Sequence, residues 1–98
     1  MKTYKDLEIY QISKRLAVEV HKTSLGFSKH EMYEEGSQVR RSSKAVSSLI
    51  VEGYGRRRCK ADFIKHLIMS QVECDETIVH LDFCLKPGHG RIKLSLIF

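Results

Sequence analysis

SQVRRSSKAVSSLIVEGYGRRR, residues 37–58, carries three signals at once. Read at 3.6 residues per turn, Val39, Ser42, Ser43, Val46, Leu49, Ile50 and Gly53 fall on one helix face. The small side chains on that face let a neighbouring backbone come close. Arg40 and Lys44 sit one turn apart on its flank. Gly53 and Gly55 are expected to end the helix, since glycine enters the left-handed conformation without a Cβ clash. Arg56, Arg57 and Arg58 follow at once. The block predicts a tightly packed helical bundle with a positive corner, and it names no reaction.

Upstream, a first helix is expected over about 3–23. Ile9, Ile12, Leu16, Ala17 and Val20 form its buried stripe, Tyr10 lies at the edge, and Glu8, Lys14, Arg15 and Glu19 face water. Leu25-Gly26-Phe27-Ser28 makes the first break. Ser28 then caps a second helix over 29–53, with Glu31 completing a capping box. A third helix is expected over 58–85. Ile64, Leu67, Gln71, Cys74, Ile78, Leu81 and Leu85 recur at spacings of 3 and 4, the pattern of a bundle seam. Ala61, Ile68, Val72, Val79 and Phe83 form a second stripe, roughly 120° round from the first. An arc that wide must bury two sides, so Ile68, Val72, Val79 and Phe83 either line a subunit interface or are left open by a missing fourth helix.

The tail, KPGHGRIKLSLIF, breaks the helical pattern at Pro87, Gly88 and Gly90. Ile92, Leu94, Leu96 and Phe98 then alternate with Arg91, Lys93 and Ser95, a period of two. The tail reads either as a short strand pressed on an open groove or as a frayed end. The expected fold is all-α, an antiparallel up-down bundle of the four-helix type. It has three long helices in a domain over 1–86 and a non-helical tail over 87–98. Three helices leave such a bundle one partner short, so self-association should support it.

At 98 residues the chain has room for one domain. A hydrophobic content of 42% argues against disorder across the body. No apolar run reaches the length of a membrane-spanning helix, and MKTYKDLEIY lacks the apolar core of a signal peptide. Cytoplasmic residence is the expectation, with no membrane partner. The formal net charge of +5 favours acidic partners such as RNA, DNA or an acidic protein. The same charge also fits a solvated surface with no ligand.

No catalytic constellation is evident. Cys59, Cys74 and Cys84 form no Cys-x-x-Cys and have no histidine at metal-ligand spacing. Cys74 is expected to pack as a small hydrophobe. His21, His30, His66, His80 and His89 form no paired i, i+4 set and read as surface or helix-edge residues. Glu73 and Glu76 are placed on the solvent side of the third helix, with Cys74 where a bundle metal site would need a carboxylate. Ser42, Ser43, Ser47 and Ser48 have no partner base and read as small residues at a helix crossing. Glu52 is expected in an ion pair with Arg56 or with Arg40 of a neighbouring subunit. No cofactor or metal is expected.

The basic set is the best candidate for function. Arg40, Arg41, Lys44, Arg56, Arg57, Arg58 and Lys60 cluster about one turn, and the Gly53–Gly55 turn is expected to fold the two groups into one positive surface. Guanidinium groups hold phosphate in a forked geometry, and Tyr54 is placed to stack on a base. Phosphate binding and a merely solvated helix end both remain open.

Several segments also match a known pattern: Asp6-Leu7, Tyr10-Gln11, Phe27-Ser28, Ser37-Gln38-Val39-Arg40-Arg41, Ile50-Val51-Glu52-Gly53-Tyr54-Gly55-Arg56, Phe63-Ile64 and Cys74-Asp75-Glu76-Thr77. Together they resemble the bacterial four-helix-bundle proteins encoded in intervening sequences of 23S rRNA genes (S23-type). The likeness covers residue 4 to about residue 83. Ser28 stands where the pattern has proline, Leu49 where it has asparagine, and after Leu85 the likeness to the fourth helix stops. The resemblance implies a homo-oligomer, a pentameric barrel of bundles. It also implies similarity to the accessory protein of diversity-generating retroelements, which binds nucleic acid and a reverse transcriptase.

Overall fold

The structure, a computed structural model, describes residues 3–84. A 3-10 turn, Tyr4–Asp6, leads into α1 (Glu8–Ser24), a short α2 (Lys29–Tyr33), α3 (Glu35–Gly55) and α4 (Lys60–Cys84). The described residues are all-α, with three long helices packed antiparallel and no strand among them. No helix among them is long and apolar enough to cross a membrane. The tail expected over 87–98, and Leu85 of the expected seam, lie outside the described residues.

Three helix boundaries differ from the sequence expectation. The first helix starts later, because Thr3 caps the 3-10 turn rather than α1. Thr3 Oγ1 accepts from the Lys5 N–H at 3.2 Å, and Asp6 Oδ2 accepts from the Thr3 N–H at 3.2 Å, a full capping box. Leu7, extended at φ −71° and ψ 125°, separates the turn from α1. The second helix is broken at Glu34 (φ −90°, ψ −83°), which splits α2 from α3. Ser28 does cap α2, accepting from the Glu31 N–H at 3.4 Å. The Glu31 carboxylate, however, accepts from Cys84 Sγ at 3.5 Å on α4.

The third difference concerns the glycines. α3 does not stop at Gly53 but runs through Gly55, and neither residue adopts a left-handed conformation. Gly53 is buried against α4, where an added Cβ would stand 2.9 Å from the Cβ of His66. Glycine is required there for close helix approach, not for a turn.

α3 is the central element. α4 packs along most of it, α1 packs on it less extensively, and α1 and α4 scarcely meet. Val20, Val39, Val46, Ile50, Cys74 and Leu81 form the fully buried core. Leu7, Ile9, Tyr10, Ile12, Leu16, Phe27, Leu67 and Ile78 flank it, half-buried. The expected stripe of α3 is the observed one: Val39, Ser42, Ser43, Val46, Ile50 and Gly53 are buried, and Leu49 is half-buried.

The α1–α3–α4 seam is also polar. Ser70 Oγ donates to the Val46 carbonyl at 2.8 Å, and Ser42 and Thr77 share a hydroxyl hydrogen bond of 2.7 Å. Thr77 in turn donates to the Glu73 carbonyl at 2.9 Å. Between α1 and α3, Ser47 Oγ donates to Ser13 Oγ at 3.0 Å. Each buried hydroxyl thus has a partner, as burial of polar groups demands. Ser13 and Ser24, fully buried on α1, join the stripe expected from the larger apolar residues.

On α4 the buried line is Ser70, Cys74, Thr77 and Leu81. Ile64 and Gln71, expected in the seam, are exposed. The buried face is therefore rotated by roughly 60° from the expected one at 100° per residue. The cause is the closeness of α3, whose own face of serine and glycine leaves room only for small side chains opposite.

Candidate nucleic-acid interface

Helical geometry puts Arg40 and Lys44 on the α1 flank of α3 and Arg41 on the α4 flank. Arg40 turns inward and closes the junction of α1, α2 and α3. Its Nη1 donates to Ser24 Oγ at 2.9 Å and its Nη2 to the Met32 carbonyl at 3.1 Å. Gly36 leaves space for it, since a Cβ there would lie 3.1 Å from Arg40 Nη1. Arg41 faces the α4 side, close enough to Glu73 to favour its ionised form, and donates to Gln38 Oε1 at 3.5 Å. Lys44 faces α1.

The second basic group occupies the α3–α4 turn. Arg57 lies over the Tyr54 ring, its guanidinium carbon 4.0 Å from the centroid, and its Nη1 donates to the Tyr54 carbonyl at 2.9 Å. One face of the ring expected to stack on a base is therefore covered by a cation. Arg56 Nη1 stands 3.8 Å from Asp62 Oδ2. Arg58 and Lys60 are exposed, with no ion pair among the described residues. α3 runs unbroken between the groups, so Lys44 and Arg56 stand about 18 Å apart at 1.5 Å per residue. The structure does not fold the two groups into one corner, because the expected bend at Gly53–Gly55 is continuous helix.

Glu52 pairs with His66, its Oε2 3.6 Å from Nε2, rather than with Arg56. His66 Nδ1 lies 2.8 Å from the Asp62 carbonyl, which orients the ring. At the opposite end of the same helix pair, His80 Nδ1 lies 2.7 Å from Glu35 Oε2. The α3–α4 packing is thus clipped at both ends by a glutamate of α3 and a histidine of α4. Sequence spacing held no signal for these pairs, since the partners are far apart in the chain.

Glu73, expected on the solvent side, is half-buried, and its Oε2 is sealed from solvent without a donor. Burial pushes its carboxyl above the usual carboxylate value, the neighbouring Glu76 adds to this, and Arg41 opposes it. Cys59, Cys74 and Cys84 form no disulfide with one another. Burial raises the Cys74 thiol, with Asp75 adding to it. Burial first, then the hydrogen bond to Glu31, pushes Cys84 to about 12. Both stay protonated near neutrality and are poor nucleophiles and metal ligands. No group of three or more His, Cys, Asp or Glu residues among the described residues could hold a metal ion.

One basic surface escaped the sequence reading. Lys14, Val18 and Lys22 follow one another at i, i+4 and i+8 on α1, beside Ala17 and His21. Lys44 and Ser47 of α3 face them across a groove of about 410 Å³. The spacing on α1 was visible in the sequence, but its meeting with Lys44 was not.

α4 turns Ile68 (56% exposed), Val72 (51%), Val79 (51%) and Phe83 (73%) outward. On a helical wheel this stripe stands opposite the buried line through Ser70, Cys74, Thr77 and Leu81.

No curated protein and no solved structure matches the chain. A family model described as 23S rRNA-intervening sequence protein matches residues 5–91, and so runs past Leu85, where the likeness was expected to stop. With the matched segment spanning the whole helical body, the chain belongs to the 23S rRNA-intervening sequence protein family.

Proposed function

We propose that this chain is a non-enzymatic, self-associating bundle that binds RNA or DNA without sequence preference through its exposed cations. The observation that carries the reading is the α3–α4 turn. It sets Arg56, Arg57, Arg58 and Lys60 in water, and Asp62 pairs with Arg56 among them. Arginines so placed neutralise phosphates and release counterions, which gives affinity without base readout. The outward stripe of α4 supports self-association, and the family resemblance makes a pentamer the expected form. Repeated around a ring, a modest patch acts as an avid belt.

A titration of RNA binding against salt tests the proposal. A steep loss of affinity with rising salt is expected. Replacing Arg56, Arg57 and Arg58 together by alanine should weaken binding to unrelated sequences alike. It should also flatten the slope by up to about three units if each arginine meets one phosphate. Absence of binding at low salt would leave the alternative, a structural or protein-interaction bundle whose charge is incidental.

A further inference from the structure

We propose that the groove between α1 and α3, on the side of the bundle away from α4, is a seat for the backbone of a single-stranded nucleic acid. Lys14, Lys22 and Lys44 hold its phosphates there. The proposal rests on the nucleic-acid reading above and assigns it a place that the arginine turn does not occupy.

Three observations support it. The first is charge. The groove is lined by Lys14, Lys22, Lys44 and His21 with no carboxylate among its walls. Beyond the Lys14–Val18–Lys22 ridge, Lys5 and Arg15 extend the same sign, against Glu19 alone. The second is availability. None of the ion pairs or side-chain hydrogen bonds among the described residues uses the ammonium of Lys14, Lys22 or Lys44. Arg40, Arg56 and Arg57, by contrast, are engaged within the chain. The third is shape. The floor is Ala17, the half-exposed Val18 and the aliphatic stems of the lysines. Helices packed about 8–10 Å apart leave a furrow between them. A single strand can lie in such a furrow, with sugar and base faces against the apolar floor and phosphates at the ammonium groups on the rim. A duplex is convex and would touch only the rim.

The test uses the full chain and fluorescence anisotropy of labelled 20-nucleotide oligouridylate and oligothymidylate over a salt series, with an RNA duplex of equal length alongside. Lys14→Ala, Lys22→Ala and Lys44→Ala are combined in one variant. Val18→Glu, which places a carboxylate on the exposed floor, is a second. Circular dichroism verifies that both remain helical. The lysine variant should lose at least about tenfold in affinity for either single strand and flatten the salt slope by about two units, at roughly 0.7 per phosphate contact. Val18→Glu should weaken single-strand binding more than duplex binding, and restoring charge as Lys→Arg at all three positions should recover it. Wild-type affinity and slope in the lysine variant, with binding lost in the arginine-turn variant, would overturn the groove and leave the nucleic-acid reading intact. Equal losses for duplex and single strand would overturn the single-strand assignment. A wild-type chain that binds nothing at low salt would remove the functional reading itself.

Discussion

α4 shows α3 a face of Ser70, Cys74, Thr77 and Leu81, while its opposite face carries Ile68, Val72, Val79 and Phe83. The more apolar side is thus the one turned away from the core of its own chain. The inward side gains little from transfer of apolar area. It is held by close approach and by hydroxyls that find partners, Ser70 on the Val46 carbonyl and Thr77 on Ser42. The outward side leaves large apolar groups in water, at a cost of about 25 cal/mol per Å² until something covers them. The two faces are thus built differently: the inner one for a neighbouring helix at short range, the outer one with the large apolar groups that the proposed self-association would cover.

The largest effect should come from breaking the outer face. Val72→Glu combined with Phe83→Glu should raise the dissociation constant of the assembly by at least about 100-fold, since each buried side chain contributes about 1.5–3 kcal/mol. The helical content should stay unchanged, because neither residue supports the core of its own chain. Sedimentation velocity reads the change. A wild-type chain that is a well-folded monomer at high concentration would break the comparison outright.

Next comes the inner face at its tightest point. Gly53→Val should destabilise the fold by about 2–3 kcal/mol, because the new side chain meets the Cβ of His66 on a helix that cannot yield locally. Urea denaturation measures it. Thr77→Val preserves shape and deletes the hydroxyl shared with Ser42, for an expected loss of about 1–2 kcal/mol. Adding Ser42→Ala to Thr77→Val should recover part of that loss, since the stranded partner is then gone as well. Strict additivity of the two substitutions would mean that the shared bond contributes nothing to the inner face.

Two smaller effects sharpen the picture. Gly55 has open space around its Cβ position and ordinary helical geometry. Gly55→Ala should therefore stabilise by about 0.5–1 kcal/mol, opposite in sign to Gly53→Val two residues away. Glu73 is the smallest case. Its folded-state carboxyl is raised above the unfolded value by burial and by Glu76. Between those two values the folded state binds more protons, so stability falls as pH rises through that window. The full deficit is present near neutrality and absent below the unfolded value. Glu73→Gln should then stabilise at pH 7 by no more than a few tenths of a kcal/mol, given solvent screening, and have no such effect below about pH 4. Denaturation midpoints at the two pH values read the difference.

The stripe of α3 was legible because its neighbours in space are its neighbours at 3.6-residue spacing, the break before α2 follows from Gly26 and Ser28, and a stop near the two glycines was expected, though α3 runs through Gly53 to Gly55. The register of α4 was not legible. Its large apolar residues dominate the periodicity, yet the short distance to α3 decides that the small ones are buried. The basic residues divide in the same way. That Arg56, Arg57, Arg58 and Lys60 share one exposed turn was plain from adjacency in the chain. That Arg40 faces inward to Ser24 and Met32, that Glu52 pairs with His66, and that Lys44 meets Lys14 and Lys22 across a groove all depend on contacts between separate helices. By itself the sequence determined the helices, the small-residue face that brings them close, the net positive charge and the family. Tertiary structure alone decided which face of α4 is buried and which cations stay free, because both depend on where a neighbouring helix lies, and local periodicity holds no record of that.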